Sequence, residues 1–271
     1  MAEKPLTADM KWSFSKLSTY AECPYGFWLR YLQDPPLPDS GNAWSDYGTL
    51  CHALLEEYAR GEISILDLAD EYERRYNDAI VHEFPPFPKG YPQKTYQQGL
   101  DYFSNFEGFN EEVNEIVSAE EKFEIKVGDN TLVGVSDLVL RNRETGRLIV
   151  VDHKTKSLKS MQHDFSLYRN QLYLYALHIK NRYGEYPEKL IFNMLKAPDK
   201  SFVELFSEEQ MMNTCAWIEN RIDDIFLEEK WPALKAEEIK SGKGDYYCRY
   251  ICPVFGYCSE AQEAVAQRTR R

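Results

Sequence analysis

The segment RLIVVDHKT, residues 147–155, is the most informative part of the chain about its fold. Four apolar residues are followed at once by Asp152, His153 and Lys154. Because successive side chains of a strand point to opposite faces, Asp152 and Lys154 share one face with alternate apolar residues of the run. We therefore predict a buried strand whose carboxyl end presents a carboxylate and an ammonium side by side.

A second strand-like run, TLVGVSDLVL at 131–140, carries Asp137 on the same face as several of its valines. If the two runs pair as an antiparallel hairpin, Asp137 and Asp152 converge on one side of the sheet. Two carboxylates held close repel each other unless a cation lies between them, and Mg²⁺ prefers oxygen ligands. Lys154 would then orient a water or stabilise phosphoryl charge. For a lone D-x-K pattern, solvated strand-end residues remain the alternative.

The rest of the chain predicts a small sheet among helices. Strand signals recur at 121–127 and 190–195. Helical patterns occur at 15–32 (bent or restarted at Pro24), 46–60, 63–82, 94–117, 163–182 and 207–229. We expect a mixed α/β fold, with a small central mixed sheet flanked by helices and an irregular tail from about residue 241. One domain is expected, comprising a helical region 13–117, a core 118–230 and a tail 241–262.

Composition limits the classes of protein to which the chain can belong. Of the 271 residues, 28% are charged, and the net charge is −12, which argues mildly against nucleic-acid binding over the whole surface but allows a local basic groove. No apolar run reaches the roughly 18 residues of a membrane helix. The N-terminal residues lack an apolar signal core, so we expect a cytoplasmic protein without a membrane association.

Three of the six cysteines form a tight group in the tail, YYCRYICPVFGYC. Cys248, Cys252 and Cys258 have the spacing C-x₃-C-x₅-C, which in a reducing compartment indicates ligands of a metal or cluster better than disulfides. A closed site requires a fourth ligand, for which Cys23 is the candidate. Zinc is the alternative occupant, although its usual pairs are C-x₂-C. The other two cysteines fall in helical patterns and are expected to be buried apolar residues.

The motifs between residues 13 and 258, taken in their order along the chain, resemble those of the PD-(D/E)XK nuclease superfamily and specifically of its RecB-like branch. The resemblance implies a restriction-endonuclease-like core. It makes Asp137 the first metal carboxylate, Asp152 the second acidic position and Lys154 the catalytic lysine. His153 stands where the motif accepts any residue.

Two helices extend the resemblance. GTLCHALLE, 48–56, is similar to the branch's upstream helix motif, which implies that His52 is a metal ligand rather than an ordinary helix histidine. RNQLYLYAL, 169–177, is similar to its downstream helix motif, which implies that Gln171 and Tyr175 face the sheet edge and touch Lys154 or the nucleic-acid backbone. The alternative has Tyr175 in the core and Gln171 in water.

The strand AEEKFEI, 119–125, is expected to add one more carboxylate to the metal site. Glu120 is the predicted ligand. Glu121 competes for the role, because strand alternation alone does not choose between them.

The N-terminal stretch SFSKLSTYAECPYGFW, 13–28, is similar to the corresponding segment of members that carry an iron–sulfur cluster. The resemblance therefore implies a 4Fe–4S cluster that staples the two ends of the chain together. Its ligands would be Cys23, Cys248, Cys252 and Cys258.

The resemblance to the CRISPR-associated RecB-type exonucleases, their phage relatives and the AddB nuclease domain implies a function. It implies a Mg²⁺- or Mn²⁺-dependent hydrolase of DNA, a single-strand exonuclease in a bacterial or phage-infected cell. Recombination, repair or replication proteins are the expected partners. Two alternatives stay open: a nucleic-acid-binding or assembly subunit with a vestigial nuclease site, and a zinc-stapled structural protein. Five basic residues near the motifs are expected to form the local groove: Arg141, Arg143, Lys156, Lys159 and Arg169.

Overall fold

A computed structural model describes residues 2–3, 6–7, 9–86, 89–234 and 243–269. The chain divides into two compact units. The terminal unit comprises Met1–Asn42, Val127–Thr131 and Ala216–Arg271, and the central unit comprises Ala43–Lys126 and Leu132–Cys215. The expectation of one domain stays a prediction, and residues 241–242 of the predicted tail lie outside the described residues.

The elements follow one another along the chain in three groups. The first group is β1 (Ala2–Glu3), β2 (Lys11–Trp12), α1 (Phe14–Glu22), α2 (Pro24–Tyr31) and β3 (Gln33–Asp34). The second is α3 (Ala43–Ala59), α4 (Leu68–Ala79), α5 (Tyr91–Ser104), β4 (Asn114–Val127), β5 (Asn130–Asn142), β6 (Leu148–Lys154), α6 (Leu158–His163), α7 (Phe165–Tyr183), β7 (Lys189–Met194) and β8 (Phe202–Leu205). The third is α8 (Glu208–Leu227), α9 (Lys243–Tyr250) and α10 (Ser259–Thr269).

The sheet of the central unit is mixed. Its strands lie in the order β5, β6, β7, β8, and β4 also pairs with β5. Strands β5 and β6 are antiparallel with Leu138 opposite Val151, whereas β6 and β7 are parallel with Asp152 opposite Phe192. Helices α6 and α7 make the crossover that parallel neighbours require, and α7 packs on β6 and β7. The expected α/β fold with a central mixed sheet flanked by helices is confirmed.

The strand β6 is buried along almost its whole length, as its apolar run predicted. On one face, Ile149 and Val151 pack with Leu138 and Leu140 of β5 in a core cluster. Strand order and register together fix where the polar end of β6 lies. Since partner numbers in an antiparallel pair have a constant sum, the register of β5 and β6 continues to Asp137 opposite Asp152.

The helix predicted at 94–117 is wrong beyond Ser104, because α5 ends there and β4 begins at Asn114. Gly108 and Asn110 between them have left-handed φ values of 82° and 57°, which stop a helix. The tail predicted as irregular holds the helices α9 and α10. The short edge strand β8 was not predicted, because four residues give too little alternation to read.

The terminal unit is built from both ends of the chain. Phe27 of α2 stacks on Trp231 with 5.8 Å between ring centroids, and Tyr20 of α1 meets Phe27 edge-on at 5.8 Å. The backbone N–H of Tyr25 donates to the carbonyl of Pro232 at 3.2 Å. The chain ends therefore share one aromatic core. None of the helices in the described ranges has the length and apolar character needed to cross a membrane.

Candidate metal-dependent nuclease site

Three metal-ligating side chains from three elements of the central unit meet at one point. His52 comes from α3, Glu120 from β4 and Asp137 from β5, and their ligand atoms all lie within 4.8 Å of one another. His52 Nδ1 is 3.3 Å from Glu120 Oε1 and 3.5 Å from Asp137 Oδ2. An imidazole nitrogen with carboxylate oxygens is a donor set that Mn²⁺ and Mg²⁺ accept.

The hydrogen bond on the far side of the His52 ring fixes its tautomer. His52 Nε2 lies 3.0 Å from the backbone oxygen of His153. A carbonyl oxygen only accepts, so Nε2 carries the hydrogen, and the Nδ1 of a neutral ring aims its lone pair at two carboxylates. Such an arrangement of acceptors requires a proton or a metal ion between them. Metal-binding histidines commonly donate their second ring N–H to a backbone carbonyl in this way.

The pKa values of His52 and Asp137 are both raised, for different reasons. Burial by itself would lower the pKa of His52, but the hydrogen bond with Glu120 and the charges of Asp137 and Asp152 raise it to about 9. Burial, and after it the charge of Asp152, raises the pKa of Asp137 to about 7. Protons thus hold the metal-free cluster together, in the positions where a divalent cation would replace them.

Asp152 is fully buried at the end of β6, and neither of its carboxylate oxygens has a hydrogen-bond partner among the described residues. Lys154 Nζ lies 2.6 Å from Asp152 Oδ2, so the two form an ion pair by distance, without the alignment of a hydrogen bond. A buried carboxylate left so poorly satisfied is costly. This carboxylate, which has a neighbouring ammonium but no hydrogen bond among the described residues, therefore fits a role as a ligand of a cation.

Lys154 is held by a chain of side chains on α7. Its Nζ donates to Gln171 Oε1 at 2.8 Å, and Gln171 Nε2 donates to the Tyr175 hydroxyl oxygen at 2.9 Å. Gln171 and Tyr175 lie on one helix face, as their i, i+4 spacing predicts. Burial, followed by the charge of Asp152, raises the pKa of Tyr175, so its phenol is neutral. The structure places Gln171 against Lys154 and the buried Tyr175 against Gln171, so Gln171 is not left in water.

The two neighbouring glutamates of β4 face different surroundings. Glu120 has a left-handed φ of 48°, which interrupts the alternation of the strand and brings its carboxylate to His52. Glu121 instead accepts hydrogen bonds from Tyr183 at 3.1 Å and Arg182 at 3.3 Å. Of the two, Glu120 lies in the cluster. Strained backbone of this kind is concentrated at functional sites.

His153, between the two motif residues, is a part of the site that sequence reasoning missed. Its backbone N–H donates to Asp137 Oδ2 at 2.7 Å, and its backbone oxygen accepts from His52. Its ring Nδ1 lies 3.0 Å from Asn193 Nδ2, an amide nitrogen that only donates. Burial keeps the pKa of His153 well below its usual value, so the ring is neutral and accepts that bond. No signal in the sequence indicated that the His153 backbone would link the two candidate ligands Asp137 and His52.

Close packing explains the glycine of the G-V-S-D motif. A Cβ atom on Gly134 would lie 2.5 Å from the ring of Phe123 on β4. Any larger residue would push apart the strands that carry Glu120 and Asp137.

The basic residues expected to form a groove are partly neutralised. Lys156 pairs with Asp164 at 3.1 Å, and Arg169 pairs with Glu204 at 2.8 Å. Arg141 lies 3.9 Å from Glu185. These three residues therefore offer less positive charge to a phosphate than the sequence suggested.

The four predicted cluster cysteines line one small cavity of the terminal unit, and all four are free thiols. Cys23 ends α1 and begins α2, where its Sγ accepts from the N–H of Gly26 at 3.3 Å. Cys258 precedes α10, and its Sγ accepts from the N–H of Ala261 at 3.4 Å. Burial, and then the neighbouring thiols, raises the pKa of Cys248 to about 12. Burial also raises the pKa values of Cys252 and Cys258, so near neutral pH these three thiols lose their protons only in exchange for a cation.

The chain was compared with protein families, solved structures and curated proteins. The family model described as the PD-(D/E)XK nuclease superfamily matches residues 11–259. A crystal structure of a protein described as SSO0001 is similar at 19% identity, over 79% of this chain and 96% of its own, with a TM-score of 0.29. A search of curated proteins finds no significant match. Since the family model covers nearly the whole chain and spans every residue of the site, this chain belongs to the PD-(D/E)XK nuclease superfamily.

Proposed function

We propose that the protein is a single-strand DNA exonuclease of the RecB-like branch, braced by a 4Fe–4S cluster. Members of the superfamily are usually phosphodiester hydrolases that use Mg²⁺ or Mn²⁺, and DNA is the substrate that the superfamily implies. The main support for a catalytic metal site is the Nδ1 lone pair of His52. It faces the carboxylates of Glu120 and Asp137, and such facing acceptors require a proton or a metal ion between them.

His52, Glu120, Asp137 and Asp152 are the residues that would hold the divalent ion. When bound, such an ion acts as a Lewis acid on the phosphate and lowers the pKa of a coordinated water. The chain's own contribution is rigidity. Strand and helix backbones fix the four side chains, and His153 links Asp137 and His52 through its backbone.

Lys154 is proposed as the catalytic lysine. An ammonium has three N–H donors, and here one points to Gln171 while Asp152 lies beside it. Donors not bound to Gln171 are available to a phosphate oxygen or to the attacking water. The hydrogen-bonded chain through Gln171 to Tyr175 restricts the ammonium to one position, which is what stabilisation of transition-state charge requires.

For the cysteines, the sulfur spacing favours a cluster over a single zinc ion. Tetrahedral zinc with Zn–S bonds of about 2.3 Å holds its sulfurs about 3.8 Å apart. Among the described residues, no three cysteine sulfurs lie within 4.8 Å of one another. In a four-iron cluster each sulfur binds a different iron, so the sulfurs stand further apart. The two N–H···S bonds, to Cys23 and Cys258, suit thiolate ligands.

The test is a nuclease assay on anaerobically purified protein. Single- and double-stranded DNA labelled at either end is incubated with Mg²⁺, Mn²⁺ or EDTA. We expect metal-dependent release of short products from single strands, starting at one end. Internal cuts would contradict the exonuclease assignment. Binding without cleavage under every metal condition would instead support a vestigial site.

A further inference from the structure

A second lysine lies at the same sheet edge as Lys154. Lys196 follows β7, the parallel neighbour of β6, and the N–H of Leu195 donates to the carbonyl of Lys154 at 3.0 Å. The carboxyl ends of parallel strands are where open α/β sheets bind their ligands. The nuclease mechanism described above leaves Lys196 without a role.

The surroundings of Lys196 are those of a cation without an anion. Its Nζ lies 4.7 Å from the ring centroid of Trp44 and 4.9 Å from that of Tyr47. Within the described part of the chain, no ion pair joins it to a carboxylate, although acidic residues number 44 against 32 basic ones. Burial lowers its pKa to about 8. The two rings offset part of the cost of a buried charge, and an arriving anion would offset more.

Lys196 lines a cavity of the central unit of about 550 Å³, a volume in the range of small-molecule sites. The half-buried rings of Phe106 and Phe109 line it. The acidic residues Asp101, in α5, and Glu107, in the loop after α5, also line the cavity. Aromatic rings stack on nucleobases, and carboxylates accept hydrogen bonds from base amino groups while repelling phosphate.

These observations point to one ligand with two parts. We infer that the cavity takes the base of one nucleotide of a single DNA strand, and that Lys196 binds the phosphate of that nucleotide. The inference rests on the proposed function for the identity of the strand. It adds a second contact point for the substrate, outside the metal cluster, that would hold the strand while the scissile phosphate lies at Lys154.

The test measures binding in EDTA, where cleavage is absent, by fluorescence anisotropy of a labelled single-stranded oligonucleotide at several salt concentrations. Lys196→Gln is expected to weaken binding about tenfold and to reduce the slope of log K against log[salt] by about 0.7. Lys200→Gln is the matched control, since it removes the same charge from an exposed position in the same β7–β8 connection. The control should bind within twofold of the wild type.

A second measurement addresses the base. An oligonucleotide with abasic sites should bind the wild type less tightly than the intact strand, and Phe106→Leu should shrink that difference. Equal binding by the Lys196 and Lys200 variants would overturn the inference, as would equal binding of abasic and intact strands by the wild type. Displacement of the strand by an equal concentration of a free deoxynucleoside monophosphate would also overturn it. Binding that behaves as expected without Mg²⁺-dependent cleavage would instead contradict only the proposed nuclease function.

Discussion

The two candidate metal centres of this protein differ in donors, in support and in surroundings. In the central unit, a nitrogen and carboxylate oxygens lie on strands and a helix, and the buried Asp152 carboxylate has no hydrogen bond among the described residues. In the terminal unit, thiols lie at helix ends and turns around an apolar cavity. Hard oxygen ligands suit an exchangeable Mg²⁺ or Mn²⁺, and thiolates suit a permanently held soft metal. On this difference we propose chemistry at one centre and bracing at the other, and each proposal can be tested without the other.

The largest expected effect is that of Asp152→Asn, which keeps the shape of the side chain and removes its charge. The change should lower the rate of DNA cleavage by about a thousandfold or more, since it removes a buried metal carboxylate and the partner of Lys154. Circular dichroism and iron content should match the wild type. Cleavage at the wild-type rate would exclude Asp152 from the site.

Lys154→Ala should reduce the rate by about a hundredfold while leaving Mn²⁺ affinity within a few-fold. The reason is that Lys154 contributes a donor to the phosphate rather than a ligand to the ion. Calorimetry gives the affinity and a single-turnover assay gives the rate. An unchanged rate with unchanged affinity would make Lys154 a structural partner of Asp152 only.

Cys23→Ala should remove the cluster and lower the free energy of unfolding by several kcal/mol, because the staple closes a long loop between the chain ends. Iron and acid-labile sulfide assays with thermal denaturation measure both effects. Cys215→Ala, outside the thiol cavity, is the control and should keep its iron. A colourless wild-type protein with one zinc and no sulfide would contradict the cluster.

Mn²⁺ affinity should rise with pH. The metal-free protein holds a proton on His52, whose pKa is raised to about 9, and the ion must displace that proton. Each unit of pH increase up to pH 9 therefore strengthens Mn²⁺ binding, and the affinity rises roughly fiftyfold between pH 7 and pH 9. Calorimetry in buffers of different ionisation enthalpy counts the protons released. Binding without proton release would exclude His52 as a ligand.

The smallest effect separates neighbouring residues. Glu120→Gln should weaken Mn²⁺ binding on the order of tenfold, whereas Glu121→Gln should leave it unchanged and lower only thermal stability. The reason is that Glu120 faces His52 and Glu121 faces Tyr183 and Arg182. The reverse result would transfer the ligand role to Glu121.

Residue pattern alone predicted the strand that ends in Asp152 and Lys154, the hairpin that places Asp137 opposite Asp152, and the two helix motifs. Periodicity and residue type carry these features, because burial of an alternating or helical pattern permits few arrangements. The boundary errors near residues 105–117 and in the tail arose where local signals were short and pairing or packing with distant residues decided the outcome.

The contacts that join distant parts of the chain follow from its three-dimensional packing and not from local sequence pattern. The left-handed φ of Glu120 chose between two glutamates that alternation treats alike. The tautomer of His52 follows from the carbonyl of His153, 101 residues away, and the ring of His153 is held by Asn193 of the next strand. The meeting of Cys23 with the three cysteines of the tail likewise depends on packing of the two chain ends. Orientation and charge at such points are set by the surroundings in three dimensions, which residue type and spacing do not encode.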